Sequence, residues 1–315
     1  NNALSLQFDV FTRKRENIFT DRKGVPDFVG VRNNLLGNLG VTEAKGIDFT
    51  GNFDKNFGVF SISLQGTFTY NKNKIIEDDT PTPAFPWQQS RGQSVYNRLG
   101  YIADGFYTQA EIDNPAVART TGVVQAGDLK FRDLNGDGII NADDMTFIGK
   151  DQVPQILYGF GTTIGYKGFS LGAFFQGVSS VDFYFSSAFM PFRNGSARGS
   201  LYGNVLDRWT PQNPSQDAFY PRLSYGADIN QNYSTTNSHF LMNGRFLRLK
   251  TLDFGYTFPK PTISALGMQR LRIYFIGYNL FTFSPFKYWD PELGGGSGTT
   301  YPNIKTYSLG LSATF

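Results

Sequence analysis

Leu4, Leu6, Phe8 and Val10 alternate with Ser5, Gln7 and Asp9 near the start of the chain, and the same two-residue period returns along its whole length. Ile47, Phe49, Gly51 and Phe53 alternate with Asp48, Thr50, Asn52 and Asp54. Phe60, Ile62, Leu64, Phe68 and Tyr70 alternate with Ser61, Ser63, Gln65, Thr67 and Thr69. Tyr158, Phe160, Ile164 and Tyr166 form a fourth set, and Phe169, Leu171, Ala173 and Phe175 a fifth. Leu252, Phe254, Tyr256 and Phe258 form a sixth, and Tyr307, Leu309, Leu311, Ala313 and Phe315 the last. Between those two lies the stretch 269–283, apolar on both sides in places and the least regular. Successive side chains of a strand point to opposite faces, so the pattern predicts about eight strands, each with one apolar and one polar face.

Alternation alone also fits a soluble sandwich. Three features favour a transmembrane antiparallel β-barrel with long extracellular loops. The segments run to roughly ten residues, the length a tilted strand needs to cross a bilayer. Aromatic residues gather near segment ends, as interfacial girdles do. The connections alternate between short and long. Short turns fall at Asp54–Gly58, Tyr166–Gly168 and Pro259–Gln269, and long connections span 16–42, 72–155, 181–243 and 284–303. Short periplasmic turns and long extracellular loops are the barrel pattern, and this register puts the C-terminus in the periplasm.

Composition agrees. Apolar residues make up 40% of the 315, yet no apolar run is long enough for a membrane helix, and mean hydropathy is −0.30. There are 31 Phe, 17 Tyr and 35 Gly, which suits sheets greasy on one side and wet on the other. The absence of cysteine excludes disulfides, thiolate metal sites and cysteine nucleophiles. A net charge of +3 with no basic stripe gives no footprint for nucleic acid. His239 is the only histidine, so no His-based metal site or catalytic dyad is expected; it follows Asn237 and Ser238 and is expected in a solvent-exposed loop. The run Gly294–Gly298 lacks the Lys-Ser/Thr ending of a phosphate loop and reads as a flexible connection. No carboxylate pair carries a glycosidase signature. The chain is therefore expected not to be an enzyme.

One loop carries a sharper signal. Residues 133–144 match the EF-hand calcium loop: Asp133, Asn135 and Asp137 at positions 1, 3 and 5, Gly138 at the sharp turn, the Ile139 carbonyl at position 7, Asn141 at position 9 and Asp144 at position 12. Asp144 replaces the usual Glu and has a shorter reach. No flanking helices are evident, and Gly127–Phe131 reads as extended. The expectation is a structural Ca²⁺ neutralising the clustered carboxylates; the other reading is a metal-free acidic turn.

The chain end, Ser308, Gly310 and a terminal Phe315, resembles the C-terminal assembly signal of outer-membrane proteins, with Ala313 where a larger apolar residue is usual. More widely, Gly127–Gly138, Val153–Phe160, Tyr166–Leu171, Phe174–Gly177, Phe246–Leu252, Gly255–Pro259, Leu271–Tyr274, Asn279–Thr282, Trp289–Glu292 and Thr306–Leu311 are similar, in one order, to segments of SusC/RagA-type TonB-dependent transporters. The first ninety residues carry weaker signatures. The resemblance implies a 22-stranded outer-membrane barrel of a Gram-negative, Bacteroidetes-like bacterium, with an N-terminal plug that is not recognisable in this chain. It also implies energy coupling through the TonB complex by way of an N-terminal region, a SusD-like surface lipoprotein as partner, and import of glycans, oligosaccharides or peptides. Residues 1–315 then read as the C-terminal part of such a barrel. Trp87, Trp209, Tyr288 and Trp289 are candidates to stack on sugar rings, and Asp290 and Glu292 to accept hydroxyl hydrogen bonds; the other readings are interfacial anchors and a turn. Two rival architectures are a small closed barrel acting as porin or adhesin anchor, and a secreted calcium-binding sandwich.

Overall fold

A computed structural model describes residues 3–24, 30, 35–185, 189–191, 201–224, 232–233, 235–295 and 298–315. Eight strands form one antiparallel sheet: β1 (Leu4–Asp21), β2 (Leu36–Phe57), β3 (Phe60–Glu77), β4 (Ile156–Tyr166), β5 (Phe169–Ser179), β6 (Phe246–Thr257), β7 (Arg270–Phe283) and β8 (Thr306–Thr314). Each pairs with its neighbour in sequence, in the order β1 to β8, so the sheet is an up-and-down meander. Among the described residues β1 and β8 do not pair with each other, and both edges stay open.

The register sorts the side chains as the alternation requires. One continuous row across the sheet reads Phe57, Phe60, Tyr166, Phe169, Tyr256, Ile273 and Leu311. Neighbouring rings in it touch: the Phe57 and Phe60 centroids lie 6.2 Å apart, those of Phe169 and Tyr256 4.5 Å. This row sits at the tight turns and forms an aromatic belt at one end of the apolar face. The opposite face carries Asp54, Ser63, Gln65, Thr163, Thr251 and Asp253, which line an open polar groove. On that face Arg272 holds Asp253 at 2.5 Å and donates to Ser170 Oγ.

Three strands run further than expected, β3 among them, which continues to Glu77 within the connection read as 72–155. Both ends of the connection read as 16–42 are strand, because β1 continues to Asp21 and β2 starts at Leu36. The alternation is lost there because Arg13–Asn17 is polar on both faces, as befits a sheet wet on both sides. The ladder also slips between Arg15 and Phe19, where Asn17 has φ 56°. In β6 a second irregularity explains why the period is legible only from Thr251 onward. Lys250 is skipped in the pairing with both β5 and β7, so the alternation resets at that bulge.

The buried core lies in the connections, not in the sheet. Phe106, Leu129, Phe131, Phe185, Trp209, Tyr220 and Phe240 from loops 78–155 and 180–245 pack with Phe286 from 284–305. Its base is Val178 and Phe246, at the ends of β5 and β6. Short strand pairs stiffen it, Ala103–Phe106 with Leu129–Phe131 and Asp182–Tyr184 with Leu241–Asn243.

Candidate functional site

The acidic loop is curled around its own carboxylates. Gly136 and Gly138 have φ of 77° and 81°, the left-handed region that suits glycine. Asp133 accepts from the N–H of Gly136 at 2.6 Å and of Gly138 at 2.8 Å. Asp137 accepts from Ile139 N–H at 2.8 Å, and Asn135 from Asp137 N–H at 3.1 Å. Asp144 is fully buried and takes the N–H groups of Leu134 and Asn141 on its two oxygens, closing the loop across its length. Asn141 caps the short turn Ala142–Asp144. Among the described residues no three His, Cys, Asp or Glu side chains converge as a metal cluster. A cation here would rest on mixed donors: the remaining lone pairs of Asp133, Asp137 and Asp144, the amides of Asn135 and Asn141, and the Ile139 carbonyl.

Trp87 belongs to this loop. Its indole N–H donates to the Asp143 carbonyl at 2.8 Å, its ring stacks on Phe85 at 4.7 Å, and Gln88 donates to the Ala142 carbonyl. The other aromatic candidates lie in or against the loop core. Trp209 is 7% exposed and lies against Gly127, whose φ of 87° and lack of a side chain admit the indole. Trp289 stacks with Phe185 at 5.6 Å and donates to the Gly294 carbonyl. Tyr288 lies edge-on to Phe185 at 4.7 Å. Gly296 and Ser297 of the Gly-rich run lie outside the described residues.

Asp290 and Glu292 face the barrel wall. Asp290 caps the turn Pro291–Leu293 and pairs with Arg248 of β6. Glu292 meets Arg248 at 3.3 Å and Lys250 at 2.9 Å, and accepts from Asn303. Arg248 is only 2% exposed, so this four-charge cluster fastens loop 284–305 to the polar face of the sheet. A second buried pair, Asp128 with Arg222 at 2.6 Å and Asn232 at 2.9 Å, ties loop 78–155 to loop 180–245. Sequence reading missed Arg248 and Asp128. A charged residue between Leu247 and Leu249 was the signal for the first; only the fold brings the partners of the second together, since Asp128 and Arg222 are far apart in sequence.

His239 is not the exposed loop residue expected. It lies edge-on to Phe106 at 5.3 Å, and its Nε2 is 2.7 Å from the Phe219 carbonyl. Burial holds its pKa below the usual 6.5. Nearby, burial pushes the Tyr107 hydroxyl up to about 12, and it donates to the Ala118 carbonyl. Glu111 is held below the usual carboxylate range by Lys130, 2.6 Å away. These are the perturbations of a packed scaffold.

No protein-family model matches the chain. Curated relatives do. A TonB-dependent receptor of Formosa agariphila is 28% identical over the whole chain, which spans 32% of that receptor. A second from the same organism is 30% identical, again over the whole chain and 33% of its own length. Over its whole length this chain is similar to TonB-dependent receptors. It spans about a third of the length of these relatives and corresponds to barrel wall with its loops. Solved structures of the RagAB peptide transporter share the fold, with a TM-score of 0.70 at 22% identity, over all of this chain and 34% of that one. An open-open state of the RagAB peptide importer gives 0.68. At the chain end, Ser308 and Gly310 lie in β8, and Phe315 follows its end. Gly310 has a packing role of its own: the Tyr274 ring of β7 lies where any β-carbon at 310 would sit.

Proposed function

We propose that this chain is the wall and extracellular loop domain of an outer-membrane importer that takes up oligomeric nutrients, glycans or peptides, driven by the TonB complex through an N-terminal region. A SusD-like surface lipoprotein would cap the loops. The observation that carries this reading is the sheet itself: eight paired strands, apolar on one face and polar on the other, ending in two open edges. A small closed barrel would have to pair β1 with β8. Instead, among the described residues, β1 and β8 each keep one row of backbone N–H and C=O groups without a strand partner, edges that further strands would complete. The RagAB structures are of a peptide importer, which favours peptides among the cargo classes.

Cargo recognition, in this proposal, falls less on the six loop candidates than the sequence suggested. Trp209, Tyr288 and Trp289 support the loop core, and Asp290 and Glu292 are committed to Arg248 and Lys250; the groove beside Asp54, Gln65 and Asp253 is polar and open. We also propose that a Ca²⁺ held by Asp133, Asn135, Asp137, Ile139, Asn141 and Asp144 stiffens the loop, supported by the oxygen-rich sequence and the preformed Asx turns. The deciding experiment is purification of the native protein from outer membranes in mild detergent, with intact masses of all components. A chain two to three times heavier than 35.2 kDa, with a lipoprotein alongside, is expected. A lone 35.2 kDa chain migrating as a closed barrel would sink the importer reading.

A further inference from the structure

The apolar face of β1–β3 ends abruptly. Its last row is Val10, Ile47 and Tyr70, followed on β4 by Ile156. The next row on that same face is Thr12, Lys45 and Lys72, and the one above it Lys14, Glu43 and Lys74. Lys14, Lys45 and Lys72 are exposed, and Lys74 half-exposed. Glu43 engages Lys45 at 2.9 Å and Lys74 at 3.5 Å, and Glu16 engages Lys14. Four cations against two anions leave a positive patch, and among the described residues Lys72 has no ion-pair partner.

Its height matters. From Phe60 in the aromatic belt to Tyr70, β3 advances ten residues. At about 3.4 Å per residue and the usual strand tilt, that is roughly 26 Å of depth, close to the height of a barrel's apolar band. The lysines therefore stand at the headgroup level of the outer leaflet, on the lipid side of the wall. They do not stand on the cargo side: they share the parity of Val10, Ile47 and Tyr70, and the rows beside them on the other face are Phe11, Gly46 and Asn71, and Arg13, Ala44 and Asn73.

We propose that this patch binds the phosphates of an anionic lipid of the outer leaflet, with Val10, Ile47 and Tyr70 taking its acyl chains. The apolar row and the cationic row are contiguous on three paired strands, which is the arrangement a phosphorylated glycolipid presents in mirror image. The proposal rests on the outer-membrane wall reading above. Adjacent strands hold Lys45 and Lys72 side by side, so one phosphate meets two ammonium groups, and Thr12 adds a hydroxyl donor.

The test uses the full native chain in detergent with a bis-phosphorylated lipid A, its retention read by native mass spectrometry. Lys45→Gln, Lys72→Gln and Lys74→Gln together should lower retention on the order of tenfold or more, while the corresponding Lys→Arg triple variant keeps it. Unchanged retention by the glutamine variant overturns the assignment. So does an equal loss towards the same lipid stripped of both phosphates, since apolar contact alone would then explain binding. Displacement of the lipid by inorganic phosphate at matched concentration would make the patch a soluble-anion site and also overturn it. Loss of a co-purifying protein with lipid retained would make it a protein interface, with the same consequence. Heat-modifiable migration of the same samples separates the two readings. A folded barrel with unaltered retention sinks the lipid site alone; no barrel in the wild type sinks the wall reading, and the lipid site with it.

Discussion

Arg248 is buried between two carboxylates, those of Asp290 and Glu292. Removing one partner of a buried ion pair leaves the others desolvated and unpaired, at a cost of about 3–5 kcal/mol. Arg248→Ala should therefore release loop 284–305, seen as faster hydrogen exchange and proteolysis there while the strands stay protected. Replacing Arg248, Asp290 and Glu292 together by apolar residues should cost much less; an equal loss in both variants would count against the clamp. Gly310 poses a steric question. Gly310→Val must displace the Tyr274 ring, so barrel assembly yield should fall, and Tyr274→Ala should restore it. If the double variant assembles no better, the glycine serves recognition of the chain end instead. His239 sets a pH dependence. Its folded pKa lies below the ordinary 6.5, so its contribution is fully present above 6.5 and is lost as pH falls below it. Protection of the loop core should weaken from pH 7.5 to pH 5, and His239→Gln should flatten that slope.

At the scale of elements, the acidic loop is held twice. Trp87 and Gln88 bind the carbonyls of Asp143 and Ala142 from outside, and Asp144 staples the loop from within. Trp87→Ala removes one indole hydrogen bond and one stack, so cleavage within 133–144 should rise several-fold even with calcium present. Asp133→Ala with Asp137→Ala tests the ion itself: lost calcium in metal analysis and faster loop proteolysis are expected. No bound metal in the wild type, with proteolysis unchanged in the variant, would leave a metal-free Asx loop. The strands need no such support, since each inner one has two paired neighbours.

At the scale of the whole molecule, the sheet ends in two open edges among the described residues. Its edges expose Leu6, Phe8, Leu309 and Leu311 and unpaired backbone groups, the condition under which sheets aggregate. The isolated 315 residues should fail to give a heat-modifiable barrel in detergent, whereas the full native chain should give one. A stable folded barrel from the isolated chain would favour the small-barrel architecture.

Sequence by itself determined the strands, their order, their faces and the alternation of short and long connections. It could do so because a period of two is a local property, and a half-lipid, half-water sheet imposes it on every strand. The turns of loop 133–144 were visible for the same reason: they form a contiguous motif. Where both faces are wet, as in Arg13–Asn17, the period vanished and the strand ends were misread. Tertiary structure alone decided that Trp209, Tyr288, Trp289 and His239 build or line a core made of loops. It alone matched Arg248 with Asp290, and Asp128 with Arg222. Those partners come from connections with no period of their own, and only the paired strands beneath them bring the connections together.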